Sequence, residues 1–212
     1  SVTLNSPANL TNSTNTSPTF NWTAVDLLVP GGTLTCNLTI NGTTNRSNQV
    51  VANNTSATNT STSAFANGIH NWSVTCWDDL NNTATSATST LTVDTTAPSV
   101  TLNSPANLTN TTNTTNTSPT FNWTASDVLL PAGTLTCNLT IDGSVNRSNL
   151  AVSNNTAYTN TSTSAFADGT HTWNATCWDG LNNTATSATR TITLDTTAPT
   201  VTLNSPANLT NT

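Results

Sequence analysis

The chain has 212 residues and a formal net charge of −6, with Lys+Arg 3 against Asp+Glu 9. It contains no Lys, Glu or Met, and Asn plus Thr supply about two fifths of it. Its three cations, Arg46, Arg147 and Arg190, form no basic stripe, which argues against nucleic-acid binding, and so few ionisable groups leave little material for acid–base catalysis.

In chain order, Val2 and Leu4 read as a short first strand. Asn then falls at every third residue in Asn9, Asn12 and Asn15, and again in Asn107, Asn110, Asn113 and Asn116. Two readings fit this tract: a polyproline-II-like edge that aligns its asparagines, or a low-complexity disordered loop. Phe20, Trp22 and Ala24 alternate with polar residues, as do Leu34, Cys36, Leu38 and Ile40, then Trp72, Val74 and Cys76, then Leu91 and Val93. Between the first two of these strands lies an apolar loop, Leu27, Leu28 and Val29, followed by Pro30. Short period-two strands without a helical period predict an all-β sandwich. No run approaches the ~18 apolar residues of a membrane helix, and nothing in these residues reads as a signal peptide.

The chain repeats itself. VTLNSPANLTN occupies Val2–Asn12, Val100–Asn110 and Val201–Asn211, and the spacing of the matching Trp22 and Trp123 sets a period close to one sandwich module. Asp94-Thr-Thr-Ala-Pro98 and Asp195-Thr-Thr-Ala-Pro199 mark the joints. The expected organisation is a first repeat over 1–97, a second over 98–198, and the first strand of a third over 199–212.

Of the 34 asparagines, 24 lie in Asn-x-Ser/Thr, the acceptor pattern for N-linked glycans. Chance would give about 12 at this Ser/Thr content. The first repeat holds Asn9, Asn12, Asn15, Asn21, Asn37, Asn41, Asn45, Asn53, Asn54, Asn59, Asn71 and Asn81. The rest of the chain holds Asn107, Asn110, Asn113, Asn116, Asn122, Asn138, Asn146, Asn154, Asn160, Asn174, Asn182 and Asn208. Those inside predicted strands fall on the outward parity: Asn21, Asn37, Asn71, Asn122 and Asn138. Thr172 replaces Asn71 in the second repeat, and a sequon reappears two residues later at Asn174, on the same face. A glycan-coated, extracellular chain is therefore expected, and the neighbours Asn53 and Asn54 cannot both be fully modified. In that setting four cysteines imply disulfides, and repeat symmetry favours Cys36–Cys76 and Cys137–Cys177 over the other pairings.

The Asp-Thr-Thr-Ala-Pro joint, the VTLNSPAN strand that follows it, Cys-Asn-Leu-Thr-Ile, and the Gly68-Ile-His-Asn-Trp and Gly169-Thr-His-Thr-Trp leads into Cys-Trp-Asp resemble tandem immunoglobulin-like repeats of prokaryotic, especially archaeal, cell-surface proteins. The resemblance covers essentially the whole chain. It implies a structural segment of a filament, fibre or stalk, with self-association and strand sharing between repeats or chains. The alternative is an adhesin or carbohydrate-binding module. With the cysteines on the third and sixth strands of such a module, each disulfide is expected within one sheet or near its edge.

No catalytic site is expected, because neither repeat unites a nucleophile, a base and an orienting group. His70 and His171 precede core tryptophans and read as structural. Asp78, Asp79, Asp94, Asp179 and Asp195 read as turn and cap residues ahead of a calcium site at the joint, and a zinc site lacks the ligand spacing. Trp77 and Trp178, on the outward parity, are candidates for stacking on sugar. The loops Leu27, Leu28, Val29 and Val128, Leu129, Leu130 either plug the sandwich or mediate self-association.

Overall fold

The computed structural model describes residues 1–28, 31–111, 117–129 and 133–205. Of the candidates above, Val29, Leu130, Asn113, Asn116 and Asn208 lie outside these residues. Two compact units are present: Ser1–Ala97 with Gly180–Asn183, and Pro98–Asp179 with Thr184–Thr212.

The first unit contains β1 (Val2–Ser6), β2 (Thr11–Ser13), β3 (Thr19–Ala24), β4 (Thr33–Ile40), β5 (Thr43–Ala52), β6 (Ser56–Thr60), β7 (Gly68–Trp77), β8 (Thr83–Thr85) and β9 (Ser89–Val93). One sheet has the order β1-β3-β6, and the other β2-β9-β7-β4-β5 with β8 also on β7. The second unit repeats this plan. Its strands are β10 (Ser99–Ser104), β11 (Thr109–Thr111), β12 (Thr120–Ser126), β13 (Thr134–Ile141), β14 (Ser144–Ser153), β15 (Thr156–Thr161), β16 (Gly169–Trp178), β17 (Thr184–Thr186) and β18 (Arg190–Leu194). Its sheets run β10-β12-β15 and β11-β18-β16-β13-β14, with β17 on β16. The chain is thus all-β, with two sandwich-like domains.

Alternation makes these sheets one-sided. In β3 and β4 every second side chain is buried, and the same holds toward the C-terminal end of β7. Phe20, Trp22, Leu34, Cys36, Leu38, Trp72, Val74, Leu91 and Val93 fill the space between the sheets. Phe20 packs on Trp72 with ring centroids 4.9 Å apart and on Phe65 at 6.1 Å. The second unit repeats the pair as Phe121–Trp173 at 4.9 Å, and Tyr158 adds a ring 5.2 Å from Trp123 where the first unit has Ala57. Trp22, Trp72 and Phe20, with their counterparts Trp123, Trp173 and Phe121, are the largest fully buried side chains of the two cores.

The opening segment divides between the sheets. β1 pairs antiparallel with β3, the register shifts after Leu4, the Ser6–Pro7 peptide is cis, and β2 then runs parallel to β9. The asparagine tract is accordingly neither a free polyproline-II rod nor a disordered loop at Thr11–Ser13. Its backbone is taken up by the edge of the larger sheet, and Asn9 Oδ1 accepts from Thr90 N at 2.8 Å. Thr109–Thr111 runs parallel to β18 in the same way. A third opening strand is not formed by Thr200–Asn204; an extended segment becomes a strand only when a neighbour accepts its hydrogen bonds.

Each disulfide lies within a sheet. Cys36 stands directly opposite Cys76 on the adjacent strands β4 and β7, with Cα atoms 4.0 Å apart, and Cys137 opposite Cys177 with 4.1 Å. A two-residue turn, Asn41-Gly42, joins β4 to β5. Both residues have positive φ, 50° and 76°, as the primed hairpin turns require.

Candidate functional site

Six strand sequons, Asn21, Asn37, Asn71, Asn122, Asn138 and Asn174, occupy the faces turned away from the cores, while Asn59 and Asn160 share the face of Phe20 and Phe121 on the edge strands β6 and β15. Asn21, Asn37, Asn122, Asn138 and Asn174 are half-buried among neighbouring polar side chains, and Asn71 is exposed. Their amides differ in how far they are engaged. Asn21 Oδ1 accepts from Asn5 Nδ2 at 2.6 Å and from Ser56 Oγ at 2.8 Å, while its Nδ2 donates to Thr58 Oγ1 at 2.9 Å. Asn122 repeats this with Asn103 and Thr159. Asn37 and Asn138 accept from the backbone N–H of Asn48 and Asn149. Asn45 and Asn146 each grip one threonine at two points, taking its N–H on Oδ1 and donating to its Oγ1: Thr62 at 3.1 and 2.9 Å, Thr163 at 3.0 and 2.9 Å. Asn12, Asn54, Asn71, Asn81 and Asn110 are exposed.

The histidines are structural in both units, with different chemistry. His70 Nδ1 faces the donor Asn41 Nδ2 at 3.0 Å, so it accepts, while Nε2 donates to Ala66 O at 2.8 Å. In the second unit Asp142 replaces Asn41. His171 Nδ1 lies 2.7 Å from Asp142 Oδ2 and Nε2 lies 2.9 Å from Ala167 O. Both partners are acceptors, so both ring nitrogens donate, which is the protonated form. Burial lowers the His171 pKa, but hydrogen bonds to Asp142 and Ala167 and the carboxylate charge outweigh it, so the net shift is upward. Burial likewise raises the Asp142 pKa, and its bonds to His171 and Thr172 reverse that to a net lowering. Each histidine also stacks on a phenylalanine, Phe65 or Phe166, at 4.4 Å.

Several carboxylates serve turns. Asp78 accepts from Leu80 N and Asn82 N, both at 2.9 Å, and from Asn82 Nδ2 at 2.8 Å. Asp94 and Asp195 accept from Thr96 N and Thr197 N two residues on. Asp79 is exposed and Asp179 buried. The joint is further held by Asn67, bound to Thr95 and Thr96, and by Asp168, bound to Thr196 and Thr197. Composition gave no hint of Arg190. Its guanidinium donates to the carbonyls of Leu102, Asn103 and Pro105, at 2.6, 3.2 and 2.9 Å, pinning the end of β10 to β18. Ser89 holds the matching place in the first repeat. This role had a sequence signal in that one-residue difference, but no motif.

Leu27, Leu28 and Val128 are 88, 92 and 86% exposed, so these side chains do not plug the sandwich; Leu129 is half-buried. Trp77 and Trp178 are half-buried on the outward parity. In the first unit Trp77, Val25, Leu27, Leu28, Asp78 and Asn82 line part of an open cleft of about 530 Å³.

No family model and no curated protein matches the chain. Among solved structures it is similar to the fibronectin(III)-like modules of Clostridium thermocellum CbhA, at 17% identity and a TM-score of 0.40 over 92% of this chain and 93% of that one. It is also similar to the chicken CNTN1 FN1-FN3 domains, at 11% identity and 0.42 over 90% and 66%. A third is SGBP-B of the Bacteroides ovatus mixed-linkage glucan utilization locus, in complex with a mixed-linkage heptasaccharide, at 16% and 0.27 over 88% and 43%.

Proposed function

We propose that this chain is a segment of an extracellular, heavily N-glycosylated repeat protein that builds a filament, fibre or surface stalk and is not an enzyme. The observation behind this reading is that the sequons Asn21, Asn37, Asn71, Asn122, Asn138 and Asn174 stand opposite the buried face of their strands, whereas Asn59 and Asn160, on the edge strands β6 and β15, share the parity of Phe20 and Phe121. A glycan on any of those six leaves the core untouched. Self-association uses the exposed loops Leu27, Leu28 and Val128 and the shared opening segment. VTLNSPANLTN sets Val2 and Leu4 against the first core and Val100 and Leu102 against the second. That segment can add to the sheet of a neighbouring repeat or chain. Glycopeptide mass spectrometry and electron microscopy of the natural material test the proposal; dispersed particles without sugar would reject it. Deletion of 199–212 is expected to impair assembly, and unaltered fibres would remove strand sharing.

The second reading is a carbohydrate-binding stalk, favoured by the cleft at Trp77, whose size suits a small ligand. Glycan-array binding lost in Trp77→Ala would support it, and binding unchanged by the substitution would exclude this cleft.

A further inference from the structure

The tandem sequon Asn53-Asn54-Thr55-Ser56 offers two acceptors side by side, and the two side chains are in opposite situations. Asn53 is half-buried and grips one residue of the loop after β3 at two points: Asp26 N donates to Oδ1 at 2.8 Å, and Nδ2 donates to Asp26 O at 2.6 Å. Asn154 repeats this grip on Asp127, with both contacts at 2.7 Å. Asp26 Oδ1 in turn accepts from Leu28 N at 2.9 Å, and Asp127 Oδ1 from Leu129 N at 2.9 Å. The grip therefore sets the apolar loops that carry Leu27, Leu28, Val128 and Leu129. Asn54, with φ 55°, is exposed, and its backbone N–H bonds to Ala24 O.

The chemistry of the linkage separates the two. Attachment of a glycan replaces one Nδ2 hydrogen by the sugar's anomeric carbon and creates a secondary amide. Such amides strongly prefer the trans form. Trans geometry places the anomeric carbon on the same edge of the amide as Oδ1. A two-point grip on one residue's N–H and C=O uses that same edge, because Oδ1 and the hydrogen beside it must face the partner together. The sugar would take the position of the hydrogen donated to Asp26 O. Asn53 can hold the loop or hold a glycan, but not both.

We infer that Asn54 is the glycan acceptor of this pair, and that Asn53 and Asn154 stay bare as loop braces. The second repeat makes the contrast sharper. Ala157 stands where the first repeat has Ser56, so Asn155 is not in a sequon and the matching turn has Asn154 alone. The first repeat thus bears a sugar beside its apolar loop, and the second presents the equivalent loop without one. This inference rests on the glycan-coat reading.

The test is site-resolved glycopeptide sequencing of the folded, disulfide-bonded chain from a host that glycosylates Asn-x-Ser/Thr, together with Ser56→Ala and Ala157→Ser. Ser56→Ala removes the Asn54 sequon and keeps that of Asn53; Ala157→Ser creates one at Asn155. The expected result is sugar on Asn54, none on Asn53 or Asn154, loss of the glycan from this peptide in Ser56→Ala, and a new glycan at Asn155 in Ala157→Ser. Substantial sugar on Asn53 or Asn154, or transfer to Asn53 in Ser56→Ala, overturns the inference while leaving the coat intact. Sugar at no sequon in a host proven competent on another protein overturns the coat reading and the inference with it.

Discussion

Removing one disulfide gives a test with an internal control. Cys36–Cys76 closes a loop with a sequence separation of 40. Chain entropy assigns a loop of that length about 4 kcal/mol of stabilisation at room temperature. For a domain near 100 residues, each kcal/mol moves the melting temperature by about 4–8 °C, so Cys36→Ala/Cys76→Ala should lower the first unit's transition by about 16–32 °C. Both sulfurs lie among core residues, with Cys36 and Cys76 0 and 3% exposed. The space left by alanine adds to the loss rather than opposing it. Calorimetry of the full chain reads both units at once. The variant should show an early transition for the first unit and an unshifted one for the second, which keeps Cys137–Cys177. The mirror variant, Cys137→Ala/Cys177→Ala, should reverse the assignment. A drop of less than about 5 °C, under about 1 kcal/mol on the same scale, would refute the reasoning. It would mean that the unfolded loop is already constrained, or that the strands β4 and β7 bind each other strongly enough to make the bond redundant.

The His171–Asp142 pair gives the second unit a pH dependence that the first lacks at the matching position, where Asn41 faces His70. A histidine with a raised pKa stabilises fully below its ordinary value of 6.5 and loses that contribution as pH rises through the raised value. An aspartate with a lowered pKa stabilises above its ordinary 3.8 and loses it as pH falls through the lowered value. The second unit's melting temperature relative to the first should therefore be greatest between these limits, by an amount fitting an exposed pair of about 0.2–1 kcal/mol. Asp142→Asn should remove this pair's share of the difference in melting profiles measured across pH 3–8, leaving the shares of Asp78 and Asp168, whose pKa values are also lowered. Arg190→Ser should free the end of β10, where loss of its charged hydrogen bonds costs about 2 kcal/mol. Hydrogen exchange of Val100–Asn103 should then speed up about 30-fold, approaching that of Val2–Asn5; unchanged protection would deny Arg190 its tethering role.

The strands that define the core were legible because each has one buried face. β3, β4 and the second half of β7 alternate buried and half-buried residues without a break, so period two survives in the sequence. β5 and β6 carried no such signal. In β5 the exposed, half-buried and buried positions follow no simple alternation, and the register against β4 shifts twice, between Cys36 and Leu38 and between Leu38 and Thr39. β6 is Ser-Ala-Thr-Asn-Thr, with no fully buried side chain; pairing with β3 makes it a strand. The asparagines divide in the same way. The outward parity of Asn21, Asn37 and Asn71 follows from strand period and could be read directly, whereas the inward parity of Asn59 follows only from the pairing of β6 with β3. The asparagines' hydrogen bonds could not be read, because Asn53 closes on a residue 27 positions away and Asn21 on one 37 positions away. An acceptor motif specifies what an enzyme recognises in the chain, and folding decides which amides remain available.

The same division bears on what replaces charge in this chain. Among the described residues the ion pair is His171–Asp142. The cross-strand contacts that salt bridges often make elsewhere are made here by neutral groups: Asn5 to Asn21 and Thr23, Thr75 to Thr85, and Asn59 to Gln49. Neutral hydrogen bonds are not weakened by counterion screening, which removes most of the benefit of exposed ion pairs beyond a Debye length of about 10 Å at 0.1 M salt. The first unit, with His70 facing an amide instead of a carboxylate, has nothing at this position for salt to screen. Its stability should therefore stay nearly level as ionic strength rises, whereas the second unit should lose the small part that depends on Asp142. Asparagine and threonine thus do for cohesion what lysine and glutamate usually do, without tying the sandwich to a particular salt concentration or pH.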